Sequence, residues 1–327
     1  MVEKRPIGDS GIEVAPLALG GNVFGWTADE PTSFAILDAF VDAGGTMIDT
    51  ADVYSAWVPG HKGGESETLI GRWLRRDPSK REKVVIATKV GFLAGEIVDG
   101  EYVPALDPAV IARACDASLE RLGIETIDVY YQHKDSDTVT LADSLRAFER
   151  LRELGKIRAI GLSQFTAPRL GEAIDKARRC GFTAPAALQP WYNLVERERF
   201  EDELRGVAIR HGLAVFPFYG LANGFLTGKY RSKEDLGQSV RGDRVAGYLE
   251  GRGRRVLGML DEIAAETGTA LATVSLAWLM AQPAVTAPIA SATSVPQLTE
   301  SVAAMELRLT LDQIARLDTA SAEAVPA

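Results

Sequence analysis

Four side chains in this sequence are suited to proton transfer at a carbonyl oxygen: Asp49, Tyr54, Lys89 and His133. Three of them directly follow apolar runs that are typical of β-strands. The carboxyl ends of parallel strands meet at one mouth of a barrel, so these side chains are expected to converge there. The apolar runs are 46–48 before Asp49, 84–88 before Lys89 and 127–132 before His133.

Reduction of a carbonyl requires a hydride donor and an acid that protonates the developing alkoxide. Tyrosine is a weak acid near neutrality, because its unperturbed pKa is about 10. An ammonium group within about 4–6 Å stabilises the phenolate, so Lys89 is expected to lower the pKa of Tyr54. Asp49 would hold Lys89 charged, and His133 would position the substrate oxygen or relay the proton. These residue types therefore predict redox chemistry on an alcohol or a carbonyl.

The elements that must position these residues alternate between short apolar runs and longer amphipathic stretches. This alternation is typical of parallel strands joined by helices. Eight strand–helix units over 327 residues predict an α/β fold, a (β/α)8 TIM barrel that forms one domain over residues 1–327. The predicted strands are 15–19, 46–48, 84–88, 127–131, 159–162, 186–189, 214–218 and 285–289. The predicted helices are 33–43, 65–76, 108–122, 141–154, 167–179, 197–211, 252–282 (as two helices) and 296–305.

A doubly wound sheet is the alternative fold, and it requires a dinucleotide fingerprint after its first strand. The turn at 20–25 reads GGNVFG and lacks the G-x-G-x-x-G spacing, which favours the barrel. Three long segments follow predicted strands and are expected to be binding loops on the catalytic face. They are 53–64, 92–107 with a hairpin around Asp99 and Gly100, and 219–251.

Composition narrows the class of protein. The chain is 46% hydrophobic and 25% charged, which is ordinary for a globular protein, and its net charge of −9 argues against a nucleic-acid partner. Cys115 and Cys180 lie apart in predicted helices without metal-ligand spacing, so no metal is expected. No window approaches the ~20 apolar residues of a membrane span. The N-terminus lacks the features of a signal peptide, and a cytoplasmic location is expected.

Three segments give the sequence a family resemblance: 47–54 (MIDTADVY), 86–89 (IATK) and 130–133 (YYQH). They resemble the catalytic signatures of the aldo-keto reductase superfamily, a family of (β/α)8 barrels that use NAD(P)H. The resemblance implies that Tyr54 is the general acid in carbonyl reduction and the base in alcohol oxidation. It also implies that Lys89 and Asp49 tune Tyr54, and that His133 orients the substrate carbonyl.

The same resemblance implies a cofactor site. Ser163, Gln164 and Gln189 would hold the nicotinamide carboxamide, and Phe218 stands where the family usually has a stacking tyrosine. The family usually has asparagine at Gln164, and arginine or lysine at Thr293 and Gln297, where NADP(H) preference normally rests. NADP(H) is nevertheless the expected cofactor, because the family mostly uses it, and NAD(H) is the alternative. The positive charge missing at Thr293 and Gln297 could be supplied by Arg231, Lys233, Arg241 or Arg244. The remaining expected cofactor contacts are Gly21, Asn22, Tyr219, Gly220, Leu221, Asn223, Gly228, Lys229, Ile289, Ser291 and Ser301.

Aromatic residues near the predicted mouth are expected to form the substrate pocket: Trp26, Trp57 and Phe92 beside Tyr54, with Tyr192 and Trp191 as further candidates. The expected partner is a small-molecule carbonyl or alcohol. A second hypothesis is a cofactor-binding regulatory or redox-sensing subunit with weak catalysis, as in some members of the superfamily. A metal-dependent barrel hydrolase is disfavoured, because among the three histidines only His133 is suitably placed.

Overall fold

A computed structural model of the chain describes residues 2–98 and 101–323. Eight parallel strands form its central sheet, and two short antiparallel hairpins accompany it. The strands are β1 (Arg5–Pro6), β2 (Glu13–Val14), β3 (Ala18–Gly20), β4 (Met47–Asp49), β5 (Val85–Val90), β6 (Glu96–Val98), β7 (Glu101–Val103), β8 (Ile127–Gln132), β9 (Ile157–Ser163), β10 (Ala187–Gln189), β11 (Ala214–Val215) and β12 (Ile289–Ala290). In the central sheet they lie in the order β11-β10-β9-β8-β5-β4-β3-β12.

The two ends of this sheet are joined to each other, which closes the barrel. Val215 of β11 forms an isolated parallel bridge with Val285. The Ile289 N–H donates to the carbonyl of Pro217 over 2.8 Å. Pro217 and Pro288 have no N–H to donate, so β11 and β12 are shorter than the predicted strands 214–218 and 285–289. The predicted (β/α)8 barrel is confirmed.

Helices follow the barrel strands on the outside. They are α1 (Glu30–Asp42), α2 (Glu65–Arg76), α3 (Pro108–Leu122), α4 (Leu141–Glu153), α5 (Ala167–Cys180), α6 (Glu198–Glu201), α7 (Leu204–Arg210), α8 (Gly251–Thr267), α9 (Leu271–Ala281), α10 (Val295–Ala303) and α11 (Leu311–Ser321). Their ends carry local signals: Thr140 and Ser294 accept backbone N–H groups at the starts of α4 and α10. Left-handed Gly123 and Gly181 end α3 and α5.

Three parts of the fold differ from the prediction. The single helix predicted over 197–211 is wrong: Asp202 and Glu203 depart from regular helical geometry and separate α6 from α7. Helix α11 and the β1–β2 hairpin were not predicted. The predicted hairpin in the second long loop is present as the β6–β7 pair, with Glu96 opposite Val103. Asp99 and Gly100, which were predicted to form its turn, lie outside the described residues.

The inside of the barrel is filled with mostly small apolar side chains. Ile7, Ile12 and Val14 of the β1–β2 hairpin belong to the same buried cluster, so the hairpin covers the amino-terminal end of the barrel. The carboxyl-terminal end is left for the long loops. The strand residues of this cluster are Ala18, Met47, Ala87, Val129, Tyr131, Ala159, Ala187, Ala214, Phe216, Ala287 and Ile289.

The long loop 219–251 contains three 3₁₀ segments, Ala222–Thr227, Lys233–Gln238 and Gly242–Tyr248. Within residues 2–98 and 101–323, no single helix is long and apolar enough to cross a membrane. Helices α8 and α9 have the length and apolar composition of a membrane span only when taken together, and the chain bends by 97° between them.

Candidate active site

The upper layer of the barrel interior brings the predicted polar residues together. Side chains alternate along a strand, so a residue two positions beyond an inward-facing one also faces inward. Met47 and Ala87 face the interior, and Asp49 and Lys89 therefore lie directly above them. The same step leads from Tyr131 to His133, from Gly161 to Ser163, and from Ala187 to Gln189.

Lys89 is the centre of the site. Its ammonium group is fully buried and donates to Asp49 Oδ2 (2.7 Å), the Thr50 carbonyl (2.8 Å) and Tyr54 Oη (2.9 Å). These three acceptors match the three donors of an ammonium group. Asp49 Oδ1 accepts a further hydrogen bond from Gln189 Nε2 at 2.9 Å. Both charges of the buried Lys89–Asp49 ion pair are thus hydrogen-bonded, as burial of charge requires.

Tyr54 lies in the loop after β4, half-buried, with its hydroxyl against Lys89. Burial and then the Asp49 carboxylate raise the pKa of Tyr54 well above its usual range. The net direction is therefore the opposite of the predicted one, although Lys89 still donates a hydrogen bond to the phenol oxygen. The physical reason is that Asp49 neutralises the ammonium charge, so that desolvation of the phenolate dominates. Tyr54 is held as a neutral phenol, which can donate a proton.

His133 follows β8 and is buried, with 7% of its surface exposed. Its ring stacks on Phe92 at 4.2 Å and meets the Tyr54 ring edge-on at 6.1 Å between centroids. Burial and the nearby Lys89 charge lower the pKa of His133 well below its usual range, so the imidazole is neutral. Its Nδ1 atom has no hydrogen-bond partner among the described residues. A neutral imidazole facing Tyr54 can share a substrate oxygen with the phenol.

The residues predicted to contact nicotinamide lie beside this tetrad. Ser163 Oγ donates to the Gln189 carbonyl at 3.1 Å, and Gln189 binds Asp49, so these side chains connect directly to the Lys89 network. Gln164 has a left-handed backbone, with a φ of 56°, and its side-chain amide donates to the His133 carbonyl. Phe218 packs above the interior cluster and meets Trp191 edge-on at 5.7 Å.

The predicted phosphate loop begins with several left-handed residues. Tyr219, Ala222 and Asn223 have φ values of 56°, 47° and 57°, and Gly224 and Gly228 are also left-handed. A side chain at Gly224 would lie 3.1 Å from Lys229 Cε, so glycine there lets Lys229 approach the backbone. Asn223 Oδ1 is buried without a partner among the described residues, and a bound ligand could satisfy it. Leu221 accepts the backbone N–H of Gly224, and Gly220 packs against α9.

The segment after β12 is joined to the first barrel loop. Ser291 Oγ donates to Asn22 Oδ1 at 2.7 Å, and a Cβ at Gly20 would lie only 2.4 Å from that hydroxyl. Gly21 donates its N–H to the Asp49 carbonyl, which fixes this loop against β4. Thr293 and Gln297 bond to each other. Ile289 and Ser301 are buried, and Ser301 bonds to the Gln297 carbonyl, so the structure does not expose either side chain to a ligand.

An aromatic wall surrounds the mouth. Trp26 and Trp57 pack edge-on at 5.4 Å, and Trp57 meets Tyr54 at 6.3 Å. Phe92 completes this wall through its stack on His133. Arg241 places its guanidinium 5.3 Å above the Trp26 ring, a pocket neighbour that could not be assigned from the sequence alone.

Tyr192 does not belong to this wall. It is fully buried against Phe200 and Trp278, and its hydroxyl donates to Glu201, so its candidacy for the substrate pocket was wrong. Trp191 instead packs beside Tyr219 at 4.6 Å.

Comparison with known proteins agrees with this fold. A profile of the Aldo/keto reductase family matches residues 16–322. The uncharacterized oxidoreductase YrpG of Bacillus subtilis (strain 168) is 33% identical over 310 residues, which cover 94% of this chain and 92% of that protein. The match defines the class: a TIM-barrel oxidoreductase. The chain belongs to the aldo/keto reductase family.

Two further relatives have different names. A probable voltage-gated potassium channel subunit beta of Oryza sativa subsp. japonica is 30% identical, and the match covers 94% of this chain and 92% of that protein. The L-glyceraldehyde 3-phosphate reductase of Escherichia coli (strain K12) is 28% identical over 97% of this chain and 92% of the relative. The chain is thus similar over most of its length to proteins named as enzymes and as channel subunits.

Proposed function

We propose that this protein interconverts a carbonyl compound and an alcohol by hydride transfer, with Tyr54 as general acid in reduction and as general base in oxidation. One observation carries the proposal. Lys89 donates a hydrogen bond to Tyr54 Oη, so the phenol oxygen acts as acceptor and its own proton remains available for a substrate oxygen. The raised pKa of Tyr54 keeps that proton in place until a developing alkoxide takes it.

The other three residues support this proton transfer. Lys89 stabilises the phenolate that forms as the proton leaves, and Asp49 keeps the ammonium charged and oriented. The neutral imidazole of His133 shares the substrate oxygen with Tyr54 and thereby orients the carbonyl. Because the site is buried, these hydrogen bonds act with little competition from water.

The hydride requires a nicotinamide cofactor, which supplies or accepts it when bound. Ser163 and Gln189 would hold its carboxamide, and Phe218 would pack against its ring. The buried, unpartnered Asn223 Oδ1 is consistent with a ligand under the long loop. We propose NADP(H) as the preferred cofactor, because the family mostly uses it, and NAD(H) as the alternative.

Two arginines of the long loop 219–251 are candidates for binding the cofactor phosphate. Arg231 is committed to a bidentate ion pair with Asp261, at 2.7 Å for both contacts. Arg241 has no carboxylate within 4.0 Å among the described residues. We therefore expect Arg241→Met to weaken discrimination between NADPH and NADH, while Arg231→Met serves as the control. The comparison of kcat/KM for the two cofactors tests the preference, and equal values in the wild-type protein would contradict it.

A substrate panel tests the reaction itself. NADPH absorbance is followed in both directions with simple aldehydes, ketones and alcohols, including small phosphorylated and aromatic aldehydes. We expect steady turnover with at least one carbonyl class.

Similarity to potassium channel β subunits favours one rival, a cofactor-occupied regulatory subunit with weak catalysis. Tight NADPH binding with negligible turnover across the whole panel would support that rival.

A further inference from the structure

Asp52 is a buried carboxyl that the proposed proton transfer does not use. It lies two residues before Tyr54 in the same loop, and only 2% of its surface is exposed. Its backbone N–H donates to the Lys89 carbonyl at 3.2 Å, which holds it beside the strand that carries the ammonium. Its Oδ1 atom has no hydrogen-bond partner among the described residues. An ionised carboxylate in that position would be poorly compensated, whereas a protonated one costs much less to bury.

A second buried carboxyl makes ionisation of Asp52 still less favourable. Glu67 on α2 is fully buried and accepts hydrogen bonds from Thr88 Oγ1 (2.5 Å) and Arg121 Nε (2.6 Å). Arg121 is thereby committed to Glu67, just as Lys89 is committed to Asp49. The two ion pairs are neutral units, so the group of charges is balanced when Asp52 is protonated. It carries one excess negative charge when Asp52 is ionised.

Titratable groups in the Asp52 loop and on five other elements interact electrostatically with Asp52, and their sum decides its charge. Burial first, and then the Glu67 carboxylate, raise the pKa of Asp52 to about 7, while Arg121 and the backbone N–H groups of Val53 and Gly91 oppose them. Physiological pH is therefore the range in which Asp52 changes charge. The interacting groups are Tyr54 in its own loop, Lys89 on β5, Tyr102 on β7, Tyr130 on β8, Glu67 on α2 and Arg121 on α3.

We propose that Asp52 is a positioning residue for the Tyr54–Lys89 pair: its carboxyl is protonated when the site is most active in reduction, and its ionisation weakens Tyr54 as a proton donor. This inference rests on the proposed function. A negative charge beside the phenol stabilises its protonated form, so Tyr54 gives up its proton less readily. The carbonyl reduction rate should therefore fall as pH rises through about 7, the value to which the pKa of Asp52 is raised.

Asp52→Asn tests this, because the amide has almost the same shape and cannot ionise. The probe is NADPH-dependent reduction of 4-nitrobenzaldehyde, with kcat and kcat/KM measured from about pH 5.5 to 9. The wild-type kcat should decline across neutral pH. The variant should keep a rate near the acid-side value of the wild type and lack this inflection. Profiles that superimpose would overturn the proposal.

Asp128→Asn is the matched control. Asp128 is equally buried, at 2% exposure, but it is paired with Arg81 and Arg158 instead of facing Tyr54. This variant should keep the wild-type inflection. If it loses the inflection as Asp52→Asn does, the effect is a general consequence of removing a buried carboxylate, and the proposal fails.

Thermal unfolding gives a readout that does not require activity. The folded-state pKa of Asp52 is raised, so the group favours folding below the unfolded-state pKa and loses that contribution as pH rises through about 7. The Tm of the wild type should therefore fall relative to that of Asp52→Asn between acidic and mildly alkaline pH. A Tm difference that stays constant with pH would overturn the inference about Asp52. Absence of turnover across the substrate panel is a separate result, and it would refute the proposed function.

Discussion

Lys89→Met replaces the ammonium group between Asp49 and Tyr54 by an uncharged side chain of similar length. The Asp49 carboxylate, 1% exposed, then keeps the Gln189 amide as its donor but loses its counter-charge. Removal of one partner from a buried ion pair typically costs about 3–5 kcal/mol. The Thr50 carbonyl also loses the hydrogen bond that it accepts from Lys89. We therefore expect the free energy of unfolding to fall by about 3–5 kcal/mol at pH 7.

A double variant separates stability from chemistry. In Asp49→Asn/Lys89→Met both charges are gone, and replacement of a whole buried pair by uncharged groups is often close to neutral in stability. Most of the lost stability should return in urea unfolding. Turnover should remain lower by roughly 10²–10⁴-fold, because Tyr54 still lacks its polarising donor. An unfolding free energy of Lys89→Met within about 1 kcal/mol of wild type would contradict the stabilising role of the ion pair, and recovery of turnover in the double variant would contradict the role of Lys89 in proton transfer.

Three other predictions concern packing, pH and the pocket. Gly161→Ala should destabilise the fold by about 1–3 kcal/mol in urea unfolding, because its Cβ would lie 2.3 Å from the Tyr131 ring. Gly171→Ala in α5, where a Cβ meets open space, should stabilise the fold by about 0.5–1 kcal/mol in the same titration. The free energy of unfolding of Asp52→Asn should rise by up to about 4 kcal/mol relative to that of wild type between pH 4 and pH 8. Burial raises the pKa of Asp52 from 3.8 to about 7, and each unit corresponds to ~1.4 kcal/mol that only the ionisable side chain loses; unfolding measured as a function of pH tests this. Trp57→Ala should raise KM for aromatic aldehydes by roughly 2–10-fold and leave KM for NADPH unchanged, and equal changes in both would contradict a pocket role.

The barrel was predictable from the sequence because its strands are apolar runs followed by turns, and its helices carry clear periodicity and end signals. The bounds of α2 and α3 coincide with the predicted helices 65–76 and 108–122. Strand ends near Pro217 and Pro288 were less predictable, because prolines interrupt the ladder without diverting the chain. The β1–β2 hairpin was missed because strands of two residues leave almost no periodic pattern.

Convergence of the tetrad was also predictable, since its residues follow strands whose carboxyl ends must meet. The charge balance around it was not. Burial of Tyr54 and then the Asp49 carboxylate raise its pKa, which is the opposite of the expected direction, because Asp49 also neutralises the Lys89 charge. Two contacts of the long loop also could not be predicted, because sequence spacing does not indicate how this loop folds over the barrel. They are the ion pair of Arg231 with Asp261 and the stacking of Arg241 on Trp26.

The role of Tyr54 as proton donor is tested by Tyr54→Phe, which removes a single oxygen atom and leaves the ring that packs against Trp57 and His133. NADPH turnover is measured with the best carbonyl substrate of the panel, alongside NADPH binding by protein fluorescence and thermal unfolding. We expect kcat to fall by roughly 10²–10⁴-fold, with cofactor affinity nearly unchanged. The free energy of unfolding should fall by about 1–3 kcal/mol, because the buried Lys89 ammonium loses one of its three acceptors. A variant that reduces the same carbonyl at close to the wild-type rate would contradict the role of Tyr54 as proton donor.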